Sequence, residues 1–275
     1  MLSKKLSDNI LLGRKCIFCG KYGLYRLSDK RIKCKVCRSV YSLKKLRTDL
    51  EVLFFFYVEL SARKAAKELG ISYNSVSRRY MQFRVEIANY SDFEMRKLKG
   101  ELEIDESFFG GKRKGKRGRG AFNKAIVFGI LERNGKVSIT VVSDTTAKTL
   151  MDEISDKTEK GSVFFTDCFK SYKSLKQFGK HLKVNHQKTF GKGHNHINGL
   201  EGFWSYAKER FMKYHGINNK NYPLYLKEME FRYNHRNEDV FMLLVDIVMR
   251  RKFGTKVNQS PKFNICKANS EAIKT

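Results

Sequence analysis

The stretch that most constrains this chain is Glu101-Leu102-Glu103-Ile104-Asp105, where acids alternate with apolar residues just before Phe108-Phe109-Gly110-Gly111. A period of two is that of a half-buried strand, so Asp105 stands where the strand gives way. A carboxylate at a strand end is well placed to hold a metal. Two later stretches offer partners: Val163-Phe164-Phe165-Thr166-Asp167, an apolar run ending in an acid, and Asn198-Gly199-Leu200-Glu201, which opens a helix-like segment. Asp105, Asp167 and Glu201 are separated by 62 and 34 residues. Gathered by a fold, they form a hard-oxygen site suited to two Mg²⁺ or Mn²⁺ ions, as in-line phosphoryl transfer on nucleic acid requires.

The elements around these acids have a definite order. A loop from Gly110 to Gly120 holds Lys112, Arg113, Lys114, Lys116, Arg117 and Arg119 among five glycines, a flexible cationic arm that can mould itself to a duplex. Lys124 to Leu131 and Lys136 to Val142 read as strands joined by a turn at Asn134-Gly135. A helix over Thr145 to Ile154, a buried strand over Ser162 to Asp167, a helix over Lys170 to Phe178, a short strand over His181 to Val184 and a helix over Asn198 to Tyr214 follow. Three strands, helix, strand, helix, strand, helix is the order of the ribonuclease-H-like α/β fold. On the late helix Glu201 and Lys208 are seven apart and so share a face, with Asn198 and Trp204 close to the same stripe. Asn198 is the rival third ligand, since an amide oxygen also suits Mg²⁺.

Ahead of this region, Cys16-Ile17-Phe18-Cys19 and Cys34-Lys35-Val36-Cys37 form two CxxC pairs with fourteen residues between them. That spacing predicts a ribbon holding one structural Zn²⁺, with Tyr22 to Arg26 and Arg31 to Lys33 as its hairpin. Four thiolates leave no open position for chemistry, so its role is contact with DNA or protein. Leu46, Leu50, Leu53, Phe54 and Tyr57 then recur at helical steps. Ser61 to Gly70 and Ile71 to Tyr80 follow as a helix-turn-helix, with Tyr73, Asn74, Ser75, Arg78 and Arg79 expected to face outward toward base edges and phosphates. The expected organisation is a zinc ribbon over 10–43, a helix-turn-helix region over 44–90, a linker near Asn89 to Gly100, a catalytic domain over 100–253 and a loose tail over 254–275.

Composition adds the partner. Lys+Arg number 56 against 28 for Asp+Glu, a net charge of +28, which calls for a polyanion such as DNA. The first residues lead into an apolar run of only three residues, and the longest such run, Val52 to Val58, falls far short of the roughly 20 that span a membrane. A soluble intracellular protein is expected. Most of the histidines, His181, His186, His215 and His235 among them, read as solvated or DNA-facing, while His194 and His196 lie close enough to Glu201 in sequence to touch a metal or phosphate. Cys168 reads as a small packed residue, and Val240 to Val248 as core or a dimer surface.

The segments Asp105 to Gly111 with its basic loop, Phe165 to Tyr172, His196 to Lys208 and Tyr225 to Asn234 together resemble the DDE transposases of small bacterial insertion sequences, the ISXO2-like branch, related to the eukaryotic Merlin elements. The resemblance implies an enzyme of the bacterial cytoplasm, or of the nucleus for a eukaryotic element, that binds terminal inverted repeats, cuts there and joins the freed 3′ hydroxyls to target DNA. It further implies Asp105, Asp167 and Glu201 as the triad, Lys208 as the accompanying basic residue, Mg²⁺ or Mn²⁺ as cofactor, and at least a dimer in the synaptic complex. Some branches place asparagine third, which keeps Asn198 in view. A DNA-binding regulator without chemistry and a ribonuclease-H-like nuclease that cuts without joining are the alternatives. Strand ends at both aspartates weigh against the first, and the end-binding front half against the second.

Overall fold

The computed structural model describes residues 16, 19–110, 124–184, 196–214 and 216–252. The basic loop over 112–119, His186, His194, His215 and the tail lie outside them. The chain divides into two compact units, one holding the described residues up to Asp92 together with those from His235 on, the other spanning Phe93–Asn234.

In the first unit, β1 (Leu24–Arg26), β2 (Ile32–Cys34) and β3 (Val40–Tyr41) form a three-stranded antiparallel sheet. The hairpin is the expected one; β3, only two residues long, is too short to carry a periodic signal. Helix α1 (Leu43–Tyr57) starts at Ser42, whose hydroxyl accepts from the Lys45 N–H at 3.3 Å. Helix α2 (Ala62–Leu69) is capped by Ser61 and stopped by Gly70, which takes a left-handed φ of 62°. Helix α3 (Tyr73–Glu94) runs well into the stretch expected to be a linker. Phe56 packs edge-on against Tyr80 and Phe83, at centroid distances of 5.1 and 5.5 Å, fixing α3 on α1. Helix α7 (Val240–Lys252) belongs to this unit, whereas the sequence reading runs the catalytic domain on to residue 253. Its apolar face meets the aromatic side of α1, with Phe241 5.9 Å from Phe54 and 5.5 Å from Tyr57.

The second unit is built on a five-stranded sheet in the order β6-β5-β4-β7-β8, made of β4 (Glu101–Phe109), β5 (Ala125–Glu132), β6 (Val137–Val142), β7 (Val163–Thr166) and β8 (Lys180–Lys183). The first three strands are antiparallel neighbours, while β7 and β8 run parallel to β4. Two hairpins followed by two crossovers give the ribonuclease-H-like arrangement, with β4 at its centre. Asn134 takes a φ of 59° in the β5–β6 turn, as its pairing with Gly135 leads one to expect. Helix α4 (Ala147–Lys157) and a 3-10 helix over Lys170–Gln177 cover one face, burying Leu102, Ile104 and Phe164 against Leu150, Ile154 and Tyr172. Sequence pattern alone reads the second of these as an α-helix, because eight residues scarcely separate a period of 3.0 from one of 3.6.

Helices α5 (Asn198–Met212) and α6 (Tyr222–Asn234) cover the other face, seating Leu200, Phe203, Trp204 and Met229 on Val127, Leu131 and Ile139. Both faces of the sheet are therefore closed, and β4 is not the half-solvated strand its alternation suggests. Glu103 is only 1% exposed.

Candidate active site

Strand register brings the two aspartates together. Ile104 pairs with Thr166 across the parallel β4–β7 ladder, so Asp105 and Asp167 follow at the same end of adjacent strands. The carboxylate of Asp167 folds back on its own chain, its Oδ1 accepting the Phe169 N–H at 2.9 Å. Glu201 stands in the first turn of α5, where a negative charge suits the helix dipole. Asp105 reaches α5 directly: its Oδ2 accepts the Trp204 indole N–H at 3.2 Å. That contact depends on Gly129, the residue opposite Asp105 in β5, because a Cβ there would lie 2.6 Å from the indole ring.

The electrostatics of Asp105 show what its surroundings are suited to hold. Burial first, then the charges of Asp167 and Glu201, push its carboxyl from 3.8 up to about 6, against the opposing hydrogen bonds from the Glu106 backbone and Trp204. Crowded acids at the end of a central strand are what a divalent cation would relieve, and carboxylate oxygens are the donors that Mg²⁺ and Mn²⁺ prefer. These residues fit such an ion. The three acids are less tightly drawn than the cysteines, however. Cys16, Cys19, Cys34 and Cys37 form the group among the described residues whose ligand atoms all lie within 4.8 Å of one another. Burial and the charges of all four thiolates push the nearby Tyr41 hydroxyl up to about 12. For Cys37, hydrogen bonding with Ser39, Cys34 and Cys16 outweighs desolvation and lowers its thiol to about 6, toward the thiolate that zinc binds.

Along α5, Asn198, Glu201, Ser205 and Lys208 are all exposed and recur at steps of three and four, so they line one outward stripe. In the first unit Asn74 and Arg78 are exposed on α3, as expected. Arg79 is not free to face outward. Its Nε bonds the buried Asp49 carboxylate at 2.7 Å and its Nη1 contacts the Ser75 carbonyl and hydroxyl, so it ties α3 to α1. The histidines also differ from expectation. His181 is half-buried, with Nε2 2.9 Å from Thr166 Oγ1, and burial lowers its pKa; His235 is buried, with Nδ1 2.9 Å from Glu238. Cys168, expected to be packed, is exposed. His196 contributes its carbonyl, which accepts from Arg133 Nη2 at 2.6 Å, and its ring nitrogen lies 3.5 Å from Glu103.

Glu103 and Arg133 went unrecognised in sequence. Glu103 reads there as one more solvent-facing acid of the alternation, and Arg133 as part of a turn. Their partners come from non-local packing: Arg133 meets Glu101 and Glu103 across the β4–β5 pairing and Phe165 on β7, and Glu103 meets the start of α5.

The model of the ISXO2-like transposase domain matches residues 97–234, half of the chain. The chain belongs to the ISXO2-like transposase family. The matched region is nearly coextensive with the second compact unit, Phe93–Asn234. An uncharacterized transposase-like protein of Haemophilus influenzae is 39% identical over 102 residues, 36% of this chain and 82% of that protein. An uncharacterized protein in transposable element ISH50 of Halobacterium salinarum is 24% identical over 244 residues, 77% of this chain and 81% of that protein. Among solved structures, the catalytic core domain of BIV integrase aligns over 57% of this chain and 99% of its own, at 10% identity and a TM-score of 0.34. The Mos1 strand transfer complex aligns over 68% and 76%, at 12% identity and a TM-score of 0.25. Both scores are low, and the fold of this ISXO2-like domain is read from its strand order and register. Among the described residues, no helix is long and apolar enough to cross a membrane.

Proposed function

We propose that this ISXO2-like transposase binds the terminal inverted repeats of its element, cuts at those ends and joins the freed 3′ hydroxyls to target DNA. The observation that supports this most is the coupling of Asp105 to Asp167 and Glu201 at the open end of the central parallel strands. Asp105, Asp167 and Glu201 would together hold two Mg²⁺ or Mn²⁺ ions. The ions, when bound, would activate the attacking oxygen and stabilise the leaving one. Trp204 holds Asp105 in orientation from one side, and the Phe169 N–H holds Asp167 from the other. Lys208, two turns beyond Glu201 on the exposed stripe, would fix a DNA phosphate.

DNA ends would be engaged by the first unit, through Asn74 and Arg78 on α3 and through the ribbon with its one Zn²⁺, with Arg79 bracing the helix. Lys112, Arg113, Lys114, Lys116, Arg117 and Arg119 would grip the backbone, and at least two copies would pair the ends. The test is incubation in Mg²⁺ with duplexes ending in the inverted repeats that flank the gene, plus target DNA. Products longer than either substrate are expected. Cutting without joining would make the chain a nuclease, and binding without cutting would make it a regulator; either result contradicts the proposal.

A further inference from the structure

The three acids lie on β4, just past β7 and in the first turn of α5, and one side chain outside the triad contacts β4, β7 and the residue two before α5. Arg133 follows β5 and is mostly buried, its side chain 11% exposed. Its Nε donates to Glu103 Oε1 at 3.1 Å and its Nη1 to Glu101 Oε2 at 3.1 Å, both on β4 ahead of Asp105. Its guanidinium lies 3.7 Å from the ring centre of Phe165, two residues before Asp167 on β7. Its Nη2 donates to the His196 carbonyl at 2.6 Å, at the entrance to α5.

Glu103 extends the link. Helix α5 has no side-chain cap of its own at Ile197; instead Glu103 Oε2 accepts the Leu200 N–H at 2.8 Å, across 97 residues, immediately before Glu201. Gly199 permits that approach, since a Cβ there would stand 3.0 Å from Glu103 Oε2 and 2.5 Å from Leu131. A planar guanidinium bonding along several edges while stacking on a ring fixes direction as well as distance, which a lysine cannot do.

We propose that Arg133 and Glu103 are positioning residues that set the spacing of Asp105, Asp167 and Glu201 for the divalent ions. This rests on the reading of those three acids as the metal ligands. The chain has one tryptophan, Trp204, and its indole bonds Asp105, so paramagnetic Mn²⁺ bound at the acids should quench its fluorescence. The measurement is the Mn²⁺ midpoint of that quenching in the full-length chain, for wild type, Arg133→Lys and Asp105→Asn, each first shown to melt cooperatively. Asp105→Asn should abolish the saturable quenching. Arg133→Lys should keep it with a midpoint raised about 10- to 100-fold, the scale on which partners behind metal ligands act, and its cleavage defect should be relieved by excess Mn²⁺.

Should Arg133→Lys fail to fold, Glu103→Gln, which keeps an acceptor for the Leu200 N–H, is measured instead with the same expectation. A folded variant with the wild-type midpoint would overturn the positioning role while leaving the site reading intact. Quenching that survives Asp105→Asn would place the ion elsewhere and overturn both.

Discussion

At the scale of single residues, Asp105 carries a cost that its proposed role explains. Its carboxyl is raised from 3.8 to about 6 by burial and by two like charges, so the folded chain holds that proton more tightly than the unfolded one. The associated stability is complete at low pH and is lost as pH climbs through the interval from 3.8 to about 6, leaving a fixed penalty above it. Asp105→Asn removes the charge. In metal-free buffer at about pH 8 it is expected to stabilise the second unit by roughly 1–3 kcal/mol, and at about pH 4 to change it little. Thermal melts at the two pH values check this; equal stability of both proteins at the higher pH would mean that neither burial nor the neighbouring acids penalise the charge on Asp105. Added Mg²⁺ should reverse the order, because only the wild type retains the full ligand set.

Elements show where sequence was legible and where it was not. The eight strands and helices around the acids could be read from periodicity and turn residues, because each is a local pattern. What lies over a strand is not local. The alternation of β4 assigned Glu103 to one face correctly but could not say that α5 would close that face, turning a surface acid into the cap of a helix. The final helix of the second unit illustrates the same limit. Glu230 and Asn234, four residues apart on α6, reach the free edge of β6: Asn234 bonds both the N–H and the carbonyl of Val137, at 2.8 and 2.9 Å, and Glu230 accepts the Ile139 N–H at 2.8 Å. Side chains thus occupy the positions another strand would take. Asn234→Ala is expected to cost about 1–3 kcal/mol by leaving two backbone groups unpaired, and to promote aggregation through the opened edge. Urea unfolding followed with light scattering tests it, and an unchanged midpoint would show the edge needs no such guard.

Over the whole molecule, charge and fold serve different ends. A net charge of +28 speaks for a polyanionic partner, yet the candidate chemistry rests on the few acids such a chain can least easily hold together near DNA. Divalent ions, if held as proposed, would reconcile the two by neutralising the acids and drawing in phosphate. The family's fold provides the gathering: residues separated by 62 and 34 positions come near one another because β7 pairs in parallel with β4 and α5 packs over β4 and β5. The most direct test is cleavage and joining in Mg²⁺ by Asp105→Asn, Asp167→Asn and Glu201→Gln, with Asn198→Ala and Lys208→Ala as comparisons and binding to the element's ends measured alongside. Each acid variant should lose at least about 100-fold in rate while still binding the ends, with Lys208→Ala less impaired and Asn198→Ala near wild type. Full strand-transfer activity in any of the three acid variants, or a loss in Asn198→Ala as deep as in Glu201→Gln, would contradict the assignment.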